Sequence, residues 1–149
     1  MQKKEQLLKF CWGYVDTRTE RLKKSAAALQ ESLDSETKSS AGDKHETGRA
    51  MVQLEQEKLA QQLVELDRLK EVLRKINVET AQGKIRLGSW VKTSTAQYFL
   101  AISCGAAPWE GQTVYCISAG SPIAQLLMGK EAGQTFDFNG NTHTILEVG

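Results

Sequence analysis

Two carboxylates, Asp43 and Glu46, stand three residues apart in the polar run 39–46, between two long charged segments with heptad spacing. Two long helices joined by a short polar turn form a hairpin, and some 30 helical residues extend about 45 Å. A carboxylate pair at the tip of such a hairpin is placed to act inside another molecule. The spacing is also that of a capping box, in which Asp43 accepts backbone N–H bonds at a helix N-terminus. The two interpretations are compatible, because a capped tip is also a rigid one.

The three cysteines, Cys11, Cys104 and Cys116, form no C-x-x-C pair, and their spacing predicts no ligand cluster. An odd number of cysteines without a secretory segment suits a reducing cytoplasm. A thiol acyl-transfer site needs a cysteine beside a histidine, and the second half of the chain offers only His143. We therefore expect buried, inert thiols and no active site of the chain's own.

Three further candidates have simple alternatives. His45 could join Asp43 and Glu46 as a metal ligand, or it could be an exposed residue without a binding role. Gly129-Lys130 is no phosphate loop, because Glu131 replaces the required Ser or Thr. Trp109 is predicted on a loop, as a partner anchor or as a core residue.

The charges divide the chain into two parts. Residues 1–78 hold 15 of the 19 Lys+Arg and 13 of the 18 Asp+Glu, a net charge of +2 (15 minus 13). Residues 79–149 hold both prolines and nine of the twelve glycines, with a net charge of −1 (4 minus 5). Neither part has the basic excess for tight binding to free DNA or RNA. No apolar run is long enough for a membrane span, so we expect a soluble cytoplasmic protein with no membrane partner.

Heptad spacing predicts two helices, from about Lys3 to Leu33 and from about Lys44 to Ile76. The positions repeating every seven residues are Leu8, Val15, Leu22 and Leu29, then Val52, Leu59, Leu66 and Leu73. Arg18, Thr19 and Ser25 are expected to weaken the middle of the first seam. The short connection, residues 34–43, favours an antiparallel hairpin within one chain over a parallel dimer, and we expect a monomer.

Residues 79–149 are predicted to form a small sheet packed on one helix. Strands are predicted at 89–93, 96–103, 113–118, 134–138 and 142–148, the last two around the turn Asn139-Gly140-Asn141. Ser121-Pro122 opens a short helix, 123–128, and Gly129 ends it. The predicted fold class is α+β: an antiparallel coiled-coil hairpin over 1–78 with its tip near 34–46, then an antiparallel sheet domain with one short helix over 79–149.

The run 118–133, with Ser121-Pro122-Ile123 leading to Leu126-Leu127-Met128-Gly129-Lys130, resembles the signature of the bacterial Gre transcript-cleavage and elongation factors. In that family a Ser-Pro-Ile/Leu segment leads to Leu-(Ile/Leu)-Gly-Lys-x-x-Gly inside an FKBP-like domain that follows a coiled-coil hairpin. Asp43-x-x-Glu46 also coincides with the family's acidic tip pair. The resemblance covers essentially the whole chain.

The resemblance implies a function. Gre factors bind the rim of RNA polymerase's secondary channel through the FKBP-like domain and thread the hairpin towards the active site. Their tip acids help to hold a second Mg²⁺, so that the polymerase cleaves backtracked RNA. By this resemblance Asp43 and Glu46 would share Mg²⁺ with the polymerase, no cofactor would be bound by the chain alone, and docking would involve the region of Ser121, Pro122, Ile123 and Lys130. A basic cluster could meet the nascent RNA 3′ end or be a solvated helix face: Arg18, Arg21, Lys23 and Lys24.

The sequence departs from the family at the tip. After Glu46, the family has an Asn, a small residue, an acid and an aromatic, whereas this chain has Thr47-Gly48-Arg49-Ala50. Arg49 and Lys44 bring positive charge beside the acids. The alternatives are therefore a non-cleaving Gre-like or Rnk-type regulator of the same polymerase, or an interaction module with a different partner.

Overall fold

The structure, a computed structural model, describes residues 2–37, 43–79 and 83–149, and the side chains of 2–35, 48–79 and 83–149. The centre of the predicted tip, residues 38–42, and residues 80–82 lie outside this range. Contacts group the chain into two compact units: Met1–Tyr14 with Glu71–Gly149, and Val15–Lys70. The predicted domain division after residue 78 stays a prediction.

Two long helices, α1 (Gln2–Thr37) and α2 (Asp43–Arg74), form the predicted antiparallel hairpin. The Gln56 amide nitrogen donates to the Gln30 amide oxygen at 3.0 Å. In the other compact unit, the Arg74 guanidinium lies 6.0 Å from the Trp12 ring centre. Later residues of α2 thus pair with earlier residues of α1, as antiparallel packing requires. Among the described residues, no helix combines the length and apolar character needed to cross a membrane.

The seam of α1 differs from the predicted register near its start. Leu7 is 1% exposed, whereas Leu8, the predicted seam residue, is half-buried. Leu7, Cys11, Val15 and Thr19 follow one another every four residues, which inserts a stutter into the heptad repeat. Thr19 belongs to the seam, 7% exposed, because its hydroxyl donates to the Val15 carbonyl at 2.8 Å and so needs no water. In α2, buried Leu66 and Leu73 confirm the predicted register.

The second part is a six-stranded sheet with one short helix. Its elements are β1 (Trp90–Thr93), β2 (Gln97–Ala101), β3 (Gly105–Trp109), β4 (Gln112–Ser118), α3 (Pro122–Leu127), β5 (Thr135–Phe138) and β6 (Asn141–Val148). The strand order is β3-β4-β2-β1-β6-β5. Asn139 and Gly140, with φ of 53° and 79°, make the predicted Asn-Gly turn between β5 and β6, and Asn141, predicted in the turn, already begins β6. The predicted α+β class is confirmed.

One strand and one strand pairing were missed. β3 contains Pro108, which made this segment read as a loop, but proline is tolerated in a strand at a sheet edge. β3 pairs antiparallel with β4, so β4 runs parallel to β2. The prediction of a wholly antiparallel sheet is therefore wrong for this pair, and the sheet is mixed. Trp109 closes β3, paired with Gln112, and is not on a loop.

Both faces of the sheet are apolar. One face packs on α3 through a core of Ile85, Val91, Leu100, Ala124, Leu127, Phe136 and Ile145. Side chains alternate along a strand, so the strand residues next to this core point to the opposite face of the sheet. Phe99, Val114 and Cys116 are buried on that opposite face. The first residues of α1 lie against it. The Lys3 ammonium is 3.5 Å from the Trp90 ring centre, and the sulfurs of Cys11 and Cys104 are 3.5 Å apart.

The observed register makes a prediction for Leu7 and Leu8, two leucines in adjacent positions of one helix. Leu7→Ala leaves a cavity and should lower the free energy of unfolding by about 2–5 kcal/mol. Leu8→Ala removes a half-buried side chain, and we expect a loss nearer about 1 kcal/mol. Urea denaturation of both variants measures the difference. Equal losses, or a larger loss at Leu8, would contradict the observed seam.

Candidate functional sites

The two tip acids lie at the start of a helix. α2 begins at Asp43, and Glu46 follows in its first turn. The partial positive charge of a helix N-terminus favours carboxylates there. The side chains of residues 43–47, which include Lys44 and His45, lie outside the described residues, so capping and metal binding both stay predictions. Arg49 is exposed, within one turn of Glu46.

The basic cluster on α1 lies on a surface of mixed charge. Its four side chains are all exposed: Arg18, Arg21, Lys23 and Lys24. Asp16 and Glu20 stand with Arg21 and Lys24 around one shallow, open depression of the helix surface. Acidic side chains among the basic ones reduce the attraction for a phosphate backbone. This arrangement favours the solvated-face interpretation over an RNA path.

Ser121 precedes helix α3 and Gly129 follows it, as predicted. The Ser121 hydroxyl accepts from the Ala124 backbone N–H at 3.4 Å and donates to the Ser118 carbonyl at 2.8 Å. Pro122 occupies the first helical turn, where a missing N–H costs nothing. Gly129 follows the helix with a φ of 81°, which favours glycine, and its N–H donates to the Ile85 carbonyl at 2.8 Å. Much of the signature run thus builds the fold.

The candidate docking residues divide into inward and outward groups. Ile123 packs against the core, and Ser121 serves as the cap. Pro122 and Met128 are exposed, the latter by 38% of its surface, and Gln125 is exposed between them. Lys130 is half-buried, and its backbone carbonyl accepts from the Ile85 N–H at 2.9 Å. A partner of α3 would therefore meet Pro122, Gln125 and Met128 rather than Ser121 or Ile123.

The three cysteines form a cluster, contrary to the expectation from their spacing. The sulfurs of Cys11, Cys104 and Cys116 all lie within 4.8 Å of one another. Cys11 belongs to the α1 seam, Cys104 precedes β3, and Cys116 lies in β4 opposite Gly105. Exposure is 0% for Cys11, 9% for Cys104 and 3% for Cys116. Local motif reading could not find this cluster, because the residues come from separate elements.

The surroundings of Cys11 and Cys116 favour the protonated form of their thiols. The hydrogen bond with Cys104, together with burial, raises the pKa of Cys11 to about 12. The same two causes raise the pKa of Cys116 well above its ordinary value. Thiolates are the nucleophilic form of cysteine, so a raised pKa disfavours activation of Cys11 and Cys116 as nucleophiles. The expectation that the thiols are buried is confirmed, and the expectation that they form no cluster was wrong.

Fold and sites together define an α+β protein that joins an antiparallel helical hairpin, with acids in the first turn of its second helix, to a mixed sheet with a serine-capped helix. A solved structure described as that of the transcription factor Gfh1 is similar at 18% identity, covering 95% of this chain and 92% of that chain, with a TM-score of 0.32. At that score the similarity supports no conclusion about function. No protein-family model and no curated protein matches the chain.

The cap geometry makes a prediction for Ser121. Ser121→Ala removes the acceptor for the Ala124 N–H and should lower the free energy of unfolding by about 1 kcal/mol, whereas Ser121→Gly should cost only a few tenths. Ser121→Thr keeps the hydroxyl and serves as the control. Chemical denaturation of the three variants tests the cap. If alanine and glycine cost the same, the hydroxyl does not act as a cap.

Proposed function

We propose that this chain is a Gre-type transcription factor that enters the secondary channel of bacterial RNA polymerase and stimulates cleavage of backtracked RNA. The observation that carries the proposal is the placement of Asp43 and Glu46 in the first turn of α2, next to the connection between two antiparallel helices. The 32 residues of α2 extend about 48 Å, long enough to carry an acidic pair deep into a partner.

The second support is the sequence signature together with the fold that it builds. The run 118–133 contributes a capped helix on a small sheet after a helical hairpin, which is the order of parts that the Gre resemblance implies. Fold alone does not assign a function, so the proposal depends on the tip. In this proposal the polymerase is the enzyme, the factor works in the cytoplasm, and the chain has no active site of its own.

The donor set at the tip suits Mg²⁺. Two carboxylates offer hard oxygen atoms, which Mg²⁺ prefers over nitrogen or sulfur. A Mg²⁺ shared with the polymerase would supply charge stabilisation for an in-line phosphoryl displacement. Asp43 and Glu46 would orient water and complete the oxygen shell, and the helix N-terminus favours both in their charged form. Docking would use the outward residues of α3.

A second candidate function is regulation of the same polymerase without cleavage. Exposed Arg49 stands in the turn after Glu46, and Gly48 before it lowers the helix propensity of that turn by about 1 kcal/mol relative to Ala. A guanidinium near two carboxylates competes with a cation for them. A factor with this tip would occupy the channel and exclude other binders without adding a metal ligand.

Transcript cleavage in a stalled, backtracked elongation complex of the host's RNA polymerase tests the first candidate. We expect stimulation by the wild type and a loss of at least about 10- to 100-fold with Asp43→Asn/Glu46→Gln, because changing residues outside the direct ligands of a metal already costs that much. Glu55→Gln/Glu57→Gln, two exposed acids of the same helix, is the matched control and should stimulate normally. Equal stimulation by both double variants would remove the tip acids from the mechanism.

A separate prediction concerns Arg49. If its guanidinium competes with Mg²⁺, Arg49→Ala should increase stimulated cleavage and lower the Mg²⁺ concentration needed for half-maximal rate. Arg68→Ala, an exposed arginine further along α2 that pairs with Glu65, is the control. No stimulation by the wild type or Arg49→Ala, combined with displacement of a known secondary-channel binder, would favour the non-cleaving candidate. No effect in either assay would favour a different partner.

A further inference from the structure

The cluster of Cys11, Cys104 and Cys116 brings together all three cysteines of the chain. Cys11 and Cys104, 93 positions apart in sequence, are in sulfur contact at 3.5 Å. If the cysteines served only to fill the core, small apolar side chains would suffice. Such side chains are present nearby in β3 and β4, at the buried positions Ala107 and Val114. Three mutually close sulfurs offer in addition a set of soft ligands that alanine and valine do not.

The sulfur spacing fits a single bound ion. Three sulfurs at about 2.3 Å from a common centre stand about 4.0 Å apart when the ion lies in their plane, and closer when it lies above it. The sulfurs of the cluster span from 3.5 Å to at most 4.8 Å. Sub-ångström movements therefore suffice for three equal bonds. Among the described residues, no His, Asp or Glu joins the three cysteines as a fourth ligand.

Charge and coordination number select the class of ion. Structural zinc is almost always four-coordinate, and three thiolates with Zn²⁺ would leave a negative charge in a site where the three cysteine residues are 0–9% exposed. No described cationic side chain is among the groups that shift the pKa of Cys11 or Cys116. A trivalent ion with three sulfur ligands gives a neutral complex, which is the form that burial favours.

We propose that Cys11, Cys104 and Cys116 form a trigonal, all-sulfur site for a trivalent thiophilic ion of the arsenite type. The reaction is As(OH)₃ + 3 R–SH → As(SR)₃ + 3 H₂O. Three S–H and three As–O bonds break, three As–S bonds form, the protons leave in water, and arsenic stays trivalent. The bound ion links the first part of α1 to β4 and to the segment before β3, and so stabilises the compact unit that contains all three.

Arsenite titration of the reduced full-length protein tests the site. We expect one arsenic per chain retained after gel filtration, near-ultraviolet absorbance from As–S bonds, and a rise in Tm of about 5 °C or more at saturation. Cys11→Ala, Cys104→Ala and Cys116→Ala should each lose most of the rise, because each leaves two ligands. Retained arsenic at full affinity in the single variants would contradict three-sulfur binding, as would no arsenic bound to the wild type.

Two controls separate binding from folding. Val114→Ala weakens the same face of the sheet but keeps the three thiols, so arsenite should still raise its Tm. Cys104, the most exposed of the three, is the variant least at risk of unfolding, and circular dichroism checks each variant before titration. Zinc is added in parallel: a Tm rise with Zn²⁺ equal to that with arsenite would overturn the assignment to a trivalent ion. The test involves no polymerase, so its outcome is independent of the proposed function.

Discussion

The constraint on which the sheet-containing unit depends is that its sheet is apolar on both faces. In β2, Phe99 and Leu100 are adjacent, point to opposite faces, and are both 0% exposed. A sheet of this kind cannot face water on either side. Helix α3 covers one face, and the first residues of α1 cover the other, with Lys3 on Trp90 and Cys11 on Cys104. The start of the hairpin is thus part of the core of the sheet.

This constraint explains where heptad reading succeeded and where it failed. In α2, Leu66 stands between Glu65 and Asp67 as the one apolar residue at its turn, and it fixes the seven-residue repeat that also places Leu73, rather than its neighbour Val72, in the seam. At the start of α1, Leu7 and Leu8 are adjacent and equally apolar, and periodicity cannot choose between them. In that part of the chain α1 packs against the sheet, and the choice of Leu7 follows from tertiary packing. The stutter through Thr19 restores the usual seam further along the helix.

The cysteine cluster could not be predicted for a related reason. β3 has an Ala-Ala-Pro core instead of the β-branched residues that mark strands, and it forms because β4 offers it a partner at the sheet edge. Its pairing turns β4 parallel to β2 and brings the segment before β3, with Cys104, beside Cys116. Local signals did identify the features that depend on neighbours in sequence: the Ser121 cap, Gly129 and the Asn139-Gly140 turn.

The signature run and the tip therefore carry different kinds of information about function. Ser121, Ile123 and Gly129 are explained by the cap, the core and the helix end, so their presence argues for this fold whatever the protein binds. Pro122, Gln125 and Met128 face outward, although Pro122 opens the helix and the Gln125 amide nitrogen donates to the Gly120 carbonyl at 3.2 Å. In the proposed function, these exposed residues would form the docking surface. The chemistry of the proposed function depends on two acids, Asp43 and Glu46, whose nearest basic neighbours in sequence are Lys44 and Arg49. Because Coulomb attraction falls with distance and with solvent screening, the two proposed functions, cleavage and simple occupancy of a channel, differ in how close the Arg49 guanidinium comes to those acids.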